Sequence, residues 1–336
     1  MYTPNATNLF QLPLSWARTN TAAPKFNPVK LPLTSVQWVP LAEIPHGFSF
    51  EKLYQEYLQP KSNGFILQSV NVTTRDFLLQ RGWQAAAMGT EAILDLPWKG
   101  KRSVRELARR GRRHGSIQEV ENNRSNQVKL AQLKRYSPSR QGVQLKYTER
   151  PNFDRSTRLF VFETIEHKWL GAVSISSNTA TAAHTELLLR HQEAPIGIME
   201  ALITFIAQQL TDEGFTQLSL GNVPVLPTEE NTALFAQHRH PNELWLRSQL
   251  IFKLGQRFNF VYNAEGLWQF KNKFSPRWEP TYLVSSTRIS WLVIAGLMQA
   301  TGYLKLVQSS LSKLWPTFPK IKWPKLDLAN FRYGFR

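Results

Sequence analysis

The 336-residue sequence contains no cysteine, and this absence removes several classes of protein from consideration. Without a thiol there is no disulfide scaffold, no iron–sulfur cluster, no zinc site with Cys ligands and no thiol nucleophile. The lack of cysteine also fits a reducing, cytosolic environment. The N-terminal residues lack a basic region followed by an unbroken apolar stretch, so we expect no signal peptide.

Common catalytic motifs are missing as well. The sequence has no GxSxG elbow, no GxxxxGK[ST] phosphate loop, no HExxH and no GxGxxG. His238 and His240, with Glu230 and Glu243 nearby, match no common ligand spacing. We therefore favour ordinary loop histidines over a metal site and predict no metal.

Acidic residues are scarce relative to basic ones, with 24 Asp or Glu against 41 Lys or Arg and a net charge of +17. Two segments carry most of this excess. Residues 99–115 hold eight basic residues and one Glu, and residues 284–336 hold eight basic residues and one Asp. One such run can be a solvated helix face, but two favour polyanionic partners, either nucleic acid or anionic lipid.

The pattern of apolar residues predicts an α/β fold. Residues 1–34 are rich in Pro, Thr and Asn and are predicted to be a flexible arm, and the weakly patterned stretch 121–156 is interpreted as a junction. The predicted units are the arm, a domain at 35–150, a second domain at 151–286 and a basic amphipathic segment at 287–336. Helices are predicted at 49–58, 73–82, 101–114, 194–214, 230–258 and 267–274, and strands at 65–72, 83–88, 91–96, 158–177 (a hairpin), 181–190, 215–225 and 281–286.

The C-terminal segment has an apolar run of only about ten residues before Gln299, short of the roughly 20 residues that span a bilayer. Trp291, Tyr303 and Trp315, with the basic residues that follow, suit a membrane surface. Peripheral attachment and a terminal helix packed on the protein's own core both remain open, and a spanning helix is the minority interpretation.

The candidate catalytic and binding residues are charged residues in predicted strands and turns. Glu186 and Arg190 bracket the apolar strand TELLLR, His191 follows it, and the loop HQEAPIG leads into a helix at Gly197. A helix N-terminus suits phosphate or an oxyanion, although an ordinary strand-to-helix connection explains the same residues. The segment 270–280 adds basic residues among aromatic ones.

The sequence resembles the C-terminal catalytic domain of phosphatidylglycerol lysyltransferases, the multiple peptide resistance factor family of aminoacyl-phosphatidylglycerol synthases. The motifs are RGWQAAAMGTEAILDL (81–96), LLLRHQEAPIGIMEALI (187–203), FTQLSLGNVPV (215–225) and LWQFKNKFSPRWEPTYL (267–283). The last is the most specific, and the resemblance covers roughly residues 50–285.

The resemblance implies two tandem GNAT-like α/β domains with mixed sheets. It also implies transfer of an aminoacyl group from aminoacyl-tRNA to the hydroxyl of phosphatidylglycerol, on the cytoplasmic side of the cell membrane. An aminoacyl ester is already activated, so no cofactor is needed. RHQEAPIG lacks the Gly pair of the acetyl-CoA loop, which argues against acetyl-CoA as donor.

Site residues are carried over on the matching motifs. The implied catalytic residues are Glu186, Arg190 and Lys273. The implied substrate-binding residues are His191, Gly197, Asn222, Lys271, Arg277 and Glu279. The implied tRNA-binding residues are Lys101, Arg102, Arg105, Arg109, Arg110, Arg112 and Arg113.

The sequence also departs from the family. We expect it to lack the multi-spanning N-terminal domain, and its 121–156 region is shortened. Glu186 stands where Asp is more frequent in the family, and Leu189 stands where a second Arg is frequent. The alternatives are therefore a GNAT-like transferase with another donor or acceptor, and a non-catalytic relative that binds lipid or RNA.

Overall fold

The computed structural model describes residues 11–32, 34–59, 64–140, 144–147, 157–224, 229–238, 240 and 264–314. The strands of these ranges are β1 (Trp16–Thr19), β2 (Lys25–Lys30), β3 (Gln37–Pro45), β4 (Phe65–Val70), β5 (Gln84–Asp95), β6 (Ser116–Val120), β7 (Thr157–Glu163), β8 (Trp169–Ser177), β9 (Ala182–Arg190), β10 (Gln217–Pro224) and β11 (Arg277–Ser285). The α-helices are α1 (Phe50–Leu53), α2 (Val72–Leu79), α3 (Arg102–Gly111), α4 (Arg124–Tyr136), α5 (Ile198–Asp212), α6 (Glu229–Gln237), α7 (Ala264–Asn272), α8 (Trp291–Ala300) and α9 (Tyr303–Leu314).

The described strands form one mixed sheet in the order β1-β3-β4-β11-β5-β10-β9-β8-β7-β6, with β2 also paired to β3. The pairs β1–β3, β3–β4 and β9–β10 are parallel, and the others are antiparallel. Strand β11 comes from the C-terminal half of the chain and lies between β4 and β5. Strand β6, from the N-terminal half, pairs with β7. The sheet therefore interleaves the two halves, and the domain boundaries stay a prediction.

Helix α5 covers one face of the sheet where β5, β8, β9 and β10 lie. Ile198, Leu202, Ile203, Ile206 and Leu210 are fully buried there, as their helical spacing predicts. Basic helix α3 packs on the same cluster through Val104 and Ala108. Helices α1 and α2 pack on a second apolar core, and α8 packs on a third. Helix α4 covers β8 and β9 on the face of the sheet opposite to α5.

Gly111 and Gly197 allow α3 and α5 to meet backbone to backbone. A Cβ on Gly111 would stand 2.4 Å from the Gly197 carbonyl oxygen, and one on Gly197 would stand 2.2 Å from the carbonyl oxygen of Leu107. Gly197 also has a φ of +103°, which disfavours other residues. The start of α5 is thus covered by the C-terminal end of the basic helix.

Several predicted elements differ from the observed ones. Strands β1 and β2 lie within residues 1–34, so that part of the predicted arm belongs to the sheet. The two strands predicted at 83–88 and 91–96 are one strand, β5. The supposed junction contains α4, which buries Leu130 and Leu133 against the sheet.

The hairpin, the strand at 181–190 and the helix that begins near Gly197 agree with prediction. The first ten residues, the predicted helical stretch at 241–258, and residues 315–336 lie outside the described part of the chain.

Candidate functional site

Strands β9 and β10 are paired for only a short distance. Their parallel pairing joins Gln217 to Ala182, Leu218 to Ala183 and Ser219 to His184, although both strands continue well beyond. Both strands contain a bulge. The register of β10 shifts against its neighbour β5, and the register of β9 shifts against its neighbour β8. Bulges of this kind redirect side chains, and buried polar groups gather where the two strands separate.

Glu186 is the extra residue of the β9 bulge, since the residues before and after it remain in register with β8. Its Oε1 accepts a hydrogen bond from Ser176 Oγ at 2.7 Å and lies 3.0 Å from His184 Nε2. The side chains of His184 and Glu186 are both almost completely buried. The bulge therefore directs the predicted catalytic carboxylate towards a histidine rather than towards solvent.

Glu91 lies in the middle of β5, where it is opposite Asn222 of β10 and Glu279 of β11. It is only 4% exposed. Burial raises the pKa of the Glu91 carboxyl, whereas a hydrogen bond from Ser219 and the charges of His184 and Lys271 oppose that rise. A small cavity is lined by Glu91, His184 and Ser219 together with other residues.

Lys271 brings a cation to the same region from α7. It is 3% exposed, its Nζ donates to the Asn222 carbonyl oxygen at 3.0 Å, and no described carboxylate lies within 4 Å of it. Burial lowers the pKa of Lys271 to about 7, with Glu91 acting in the opposite direction. An amine with this pKa is present in both protonation states at neutral pH and can take up and return a proton.

Asn222 links three strands. Its side chain accepts a hydrogen bond from Thr281 Oγ1 of β11 at 3.1 Å and donates to Ser69 Oγ at 3.4 Å. The side chain crosses β5 over Gly89, where a Cβ would stand 2.7 Å from Asn222 Oδ1. The Asn222 carbonyl that accepts from Lys271 is therefore held in place by its own side chain.

Arg190, His191 and Gly197 lie around the loop that connects β9 to α5. Arg190 Nη2 donates to the Ala194 carbonyl oxygen at 2.5 Å, and His191 Nδ1 accepts from the Glu193 N–H at 3.2 Å. Burial lowers the pKa of His191. In this structure the two side chains stabilise the loop, and no described contact joins them to Lys271.

Lys273, Arg277 and Glu279 lie nearer the surface than Lys271. Lys273 Nζ is 3.4 Å from Glu200 Oε1, in the first turn of α5. Arg277 pairs with Asp95 at 3.1 Å and with Glu279. These side chains keep part of their surface in solvent, whereas the Lys271 side chain is buried.

Helix α3 presents its cations to solvent. Val104, Ala108 and Gly111 face α5, and the seven predicted tRNA-binding residues are exposed on α3 and its flanking residues. Glu106 pairs with Arg109 and Arg110, which lower the pKa of Glu106 to about 2. The surface thus carries a strong positive charge that one carboxylate only partly neutralises.

No group of metal-ligating side chains is found within the described ranges. His238 belongs to the end of α6, where its Nδ1 lies 2.9 Å from the Leu234 carbonyl oxygen. Glu243 and the side chain of Glu230 fall outside the described part of the chain.

Glu91, His184 and Thr185 are not among the site residues predicted from sequence. A signal was available for Glu91, a carboxylate within the apolar run EAILDL, because a charged residue in a central strand is costly unless it is used or paired. For His184 and Thr185 the sequence offers only their position next to Glu186. Their roles depend on the bulge and on the separation of β9 from β10, which are properties of the folded sheet.

The chain is similar to a known protein family. A family model described as phosphatidylglycerol lysyltransferase, C-terminal, matches residues 50–285. Phosphatidylglycerol lysyltransferase of Staphylococcus aureus strain COL is 25% identical over 103 residues, which is 31% of this chain and 11% of the relative. The match thus spans about a tenth of the length of the curated relatives.

Two solved structures share the fold. L-PGS from Bacillus licheniformis has a TM-score of 0.60 and 19% identity, covering 84% of this chain and 86% of that chain. The C-terminal domain of a putative lysylphosphatidylglycerol synthetase from Agrobacterium fabrum has a TM-score of 0.58 and 20% identity, covering 84% and 85%. These similarities, with the mixed sheet, confirm the predicted α/β fold class.

Proposed function

The chain belongs to the phosphatidylglycerol lysyltransferase family, and on that premise we propose that it transfers an aminoacyl group from aminoacyl-tRNA to a hydroxyl of phosphatidylglycerol or a similar anionic lipid. The observation that supports this most strongly is the buried Lys271, whose pKa is lowered to about 7 at the point where β9 and β10 separate. Aminoacyl transfer between two oxygen atoms needs a base that can also return its proton, and Lys271 meets that requirement.

In the proposed reaction the neutral Lys271 amine removes the proton from the lipid hydroxyl as its oxygen attacks the ester carbonyl carbon. A bond forms between the lipid oxygen and that carbon, and the carbonyl oxygen carries negative charge. The bond to the tRNA ribose oxygen then breaks, and the ribose oxygen takes the proton back from Lys271. Atoms and charge balance over the whole step. Holding ester and hydroxyl together supplies much of the remaining rate enhancement.

The buried carboxylates provide an anionic environment for the aminoacyl group. His184 lies 3.0 Å from Glu186, and Glu91 is close enough to His184 and Lys271 for their charges to interact. We propose that the two carboxylates orient the ammonium of the aminoacyl group. Asn222 acts as a positioning residue because it fixes Lys271 through its carbonyl oxygen.

We propose that the solvent-accessible cations Lys273 and Arg277 bind the phosphate group of the lipid. Lys273 and Arg277 retain solvent access, and their partners are Glu200 in the first turn of α5 and Asp95 at the end of β5. Glu279 is proposed to orient Arg277. Arg190, His191 and Gly197 are proposed to shape the neighbouring loop at the start of α5.

The exposed cations of α3 are proposed to contact the tRNA backbone. Lys101, Arg102, Arg105, Arg109, Arg110, Arg112 and Arg113 face solvent on a surface that runs to the start of α5. Contacts of this kind neutralise phosphates without reading sequence.

A membrane surface is the proposed location of the reaction. Within the described ranges, no helix has the length and apolar character that crossing a bilayer demands. Helix α8 packs on the core through Val293 and Ile294, while Trp291 and Leu292 are 56% and 54% exposed at its start. Arg288 is exposed beside them. We propose that this end of α8 attaches the protein to anionic lipid.

Parallel donor assays test the proposed reaction. The full chain is incubated with phosphatidylglycerol vesicles and either labelled lysyl-tRNA or labelled acyl-CoA, and lipid is then extracted. We expect label in the lipid from the tRNA donor only. Transfer from acyl-CoA alone would support the alternative GNAT-like transferase, and no transfer with a folded, vesicle-bound protein would support a binding role.

A further inference from the structure

Thr185 has a buried hydroxyl that no described residue bonds. The residue is 9% exposed, and its Oγ1 has no hydrogen-bond partner among the described residues. A buried hydroxyl in this state lowers stability, because its hydrogen bonds to water are lost without replacement. A valine at this position would have nearly the same shape and would not lower stability in this way. Packing of the core therefore does not explain why the residue is a threonine.

The Thr185 hydroxyl and the Lys271 amine lie on the same side of Gly221. Gly221 lies in β10 where this strand has separated from β9, and it leaves room where another residue would place a Cβ. That point is 3.5 Å from Lys271 Nζ and 3.8 Å from Thr185 Oγ1. The two side chains therefore converge beside Gly221, and a carbonyl oxygen that enters between them would lie within reach of both.

The two groups have complementary chemistry. Lys271 can exchange a proton with the attacking and leaving oxygens, but one amine cannot at the same moment stabilise the charge on the carbonyl oxygen. A hydroxyl with no partner is free to rotate and donate a hydrogen bond when that charge develops. Its burial strengthens the interaction, since little water is present to screen it.

We propose that Thr185 is a further catalytic residue, whose hydroxyl donates a hydrogen bond to the carbonyl oxygen of the aminoacyl ester as this oxygen becomes an oxyanion beside Lys271. This inference rests on the proposed function, since it assumes the acyl-transfer step described above. The hydroxyl keeps its own proton throughout, so the balance of that step does not change.

Two variants at this position provide the test. Thr185→Val keeps the branched shape and removes the hydroxyl, whereas Thr185→Ser keeps the hydroxyl and removes one methyl group. With labelled lysyl-tRNA and phosphatidylglycerol vesicles, we expect Thr185→Val to lower kcat by about 100- to 1,000-fold with little change in KM. We expect Thr185→Ser to remain within about tenfold of the wild type, since it retains the donor.

Thermal unfolding of both variants separates function from folding. Thr185→Val loses an unsatisfied buried group, so its Tm should equal or exceed that of the wild type. A folded Thr185→Val protein with wild-type kcat would overturn the role of Thr185 and leave the proposed function standing. Equal losses in both variants would likewise point to packing instead of hydrogen bonding. A wild-type protein that transfers no label would overturn the proposed function and this inference together.

Discussion

Lys271 is the residue on which the proposed chemistry depends, and its protonation makes activity depend on pH. Burial lowers the pKa of Lys271 to about 7, from about 10.4 in an unfolded chain. The neutral amine is the active base, so the rate of lipid labelling should rise from pH 5.5 and level off above about pH 7.5. Initial rates over this range, corrected for spontaneous hydrolysis of the donor, provide the measurement. A rate that falls between pH 6 and 7.5 would rule out Lys271 as the base.

The same shift has a consequence for stability. Because the folded pKa lies below the unfolded one, the unfolded chain binds more protons between about pH 7 and 10. The contribution of Lys271 to stability therefore increases as pH rises through this window. A buried group that lowers stability at neutral pH is consistent with a functional use.

At the scale of single elements, the long amphipathic and apolar segments could be predicted from sequence. Helix α5 has five core residues at helical spacing, and the hairpin β7–β8 has strongly apolar strands. Helix α4 could not be recognised in the same way. It buries only Leu130 and Leu133 within a long polar stretch, so its apolar periodicity is weak.

The site itself was only partly predictable. Lys271, Asn222 and Glu186 were selected through the family motifs, and the structure places all three where β9 and β10 separate. Glu91 comes to this point from β5, more than 90 residues before Glu186 in sequence. Such proximity depends on the strand order of the sheet, which neither periodicity nor composition specifies.

Helix α3 is the element for which the charge pattern makes a separate prediction. Replacing Arg105, Arg109, Arg112 and Arg113 with Gln should weaken tRNA binding and lower the slope of log affinity against log salt by about 2–3. Binding measured across a salt series gives that slope. The four side chains are exposed, so the fold should be retained.

The matched control neutralises the same number of exposed cations elsewhere, at Lys25, Lys30, Arg124 and Arg135. These residues lie on β2 and α4. If the control lowers the slope as much as the α3 variant does, tRNA binding reflects the net charge of the protein and not the basic helix.

At the scale of the whole molecule, catalysis on a lipid requires attachment to a membrane surface. Exposed Trp291 and Leu292 at the start of α8 are the proposed contact. Replacing both with Ser should lower partitioning to anionic vesicles by about tenfold or more, because two large apolar side chains no longer enter the interface. Co-sedimentation with vesicles measures this change, and Tm checks folding.

Val128 on α4 and Ile165 in the turn between β7 and β8 provide the control for that experiment, since both are exposed apolar residues away from α8. Their replacement with Ser should leave vesicle binding unchanged. Equal losses of vesicle binding in the two double variants would show that the start of α8 is not a specific membrane-binding surface. Unchanged binding by the α8 variant would move the attachment site elsewhere on the chain.

Lys271 is proposed as the base of aminoacyl transfer to lipid, and comparing the wild type with Lys271→Met tests that role. The measurement is the initial rate at which label from lysyl-tRNA enters extractable lipid, with folding of both proteins checked by thermal unfolding. We predict a rate at least about 100-fold lower in the variant, which keeps a similar side-chain length but has no base. Equal rates in two folded proteins would contradict the account.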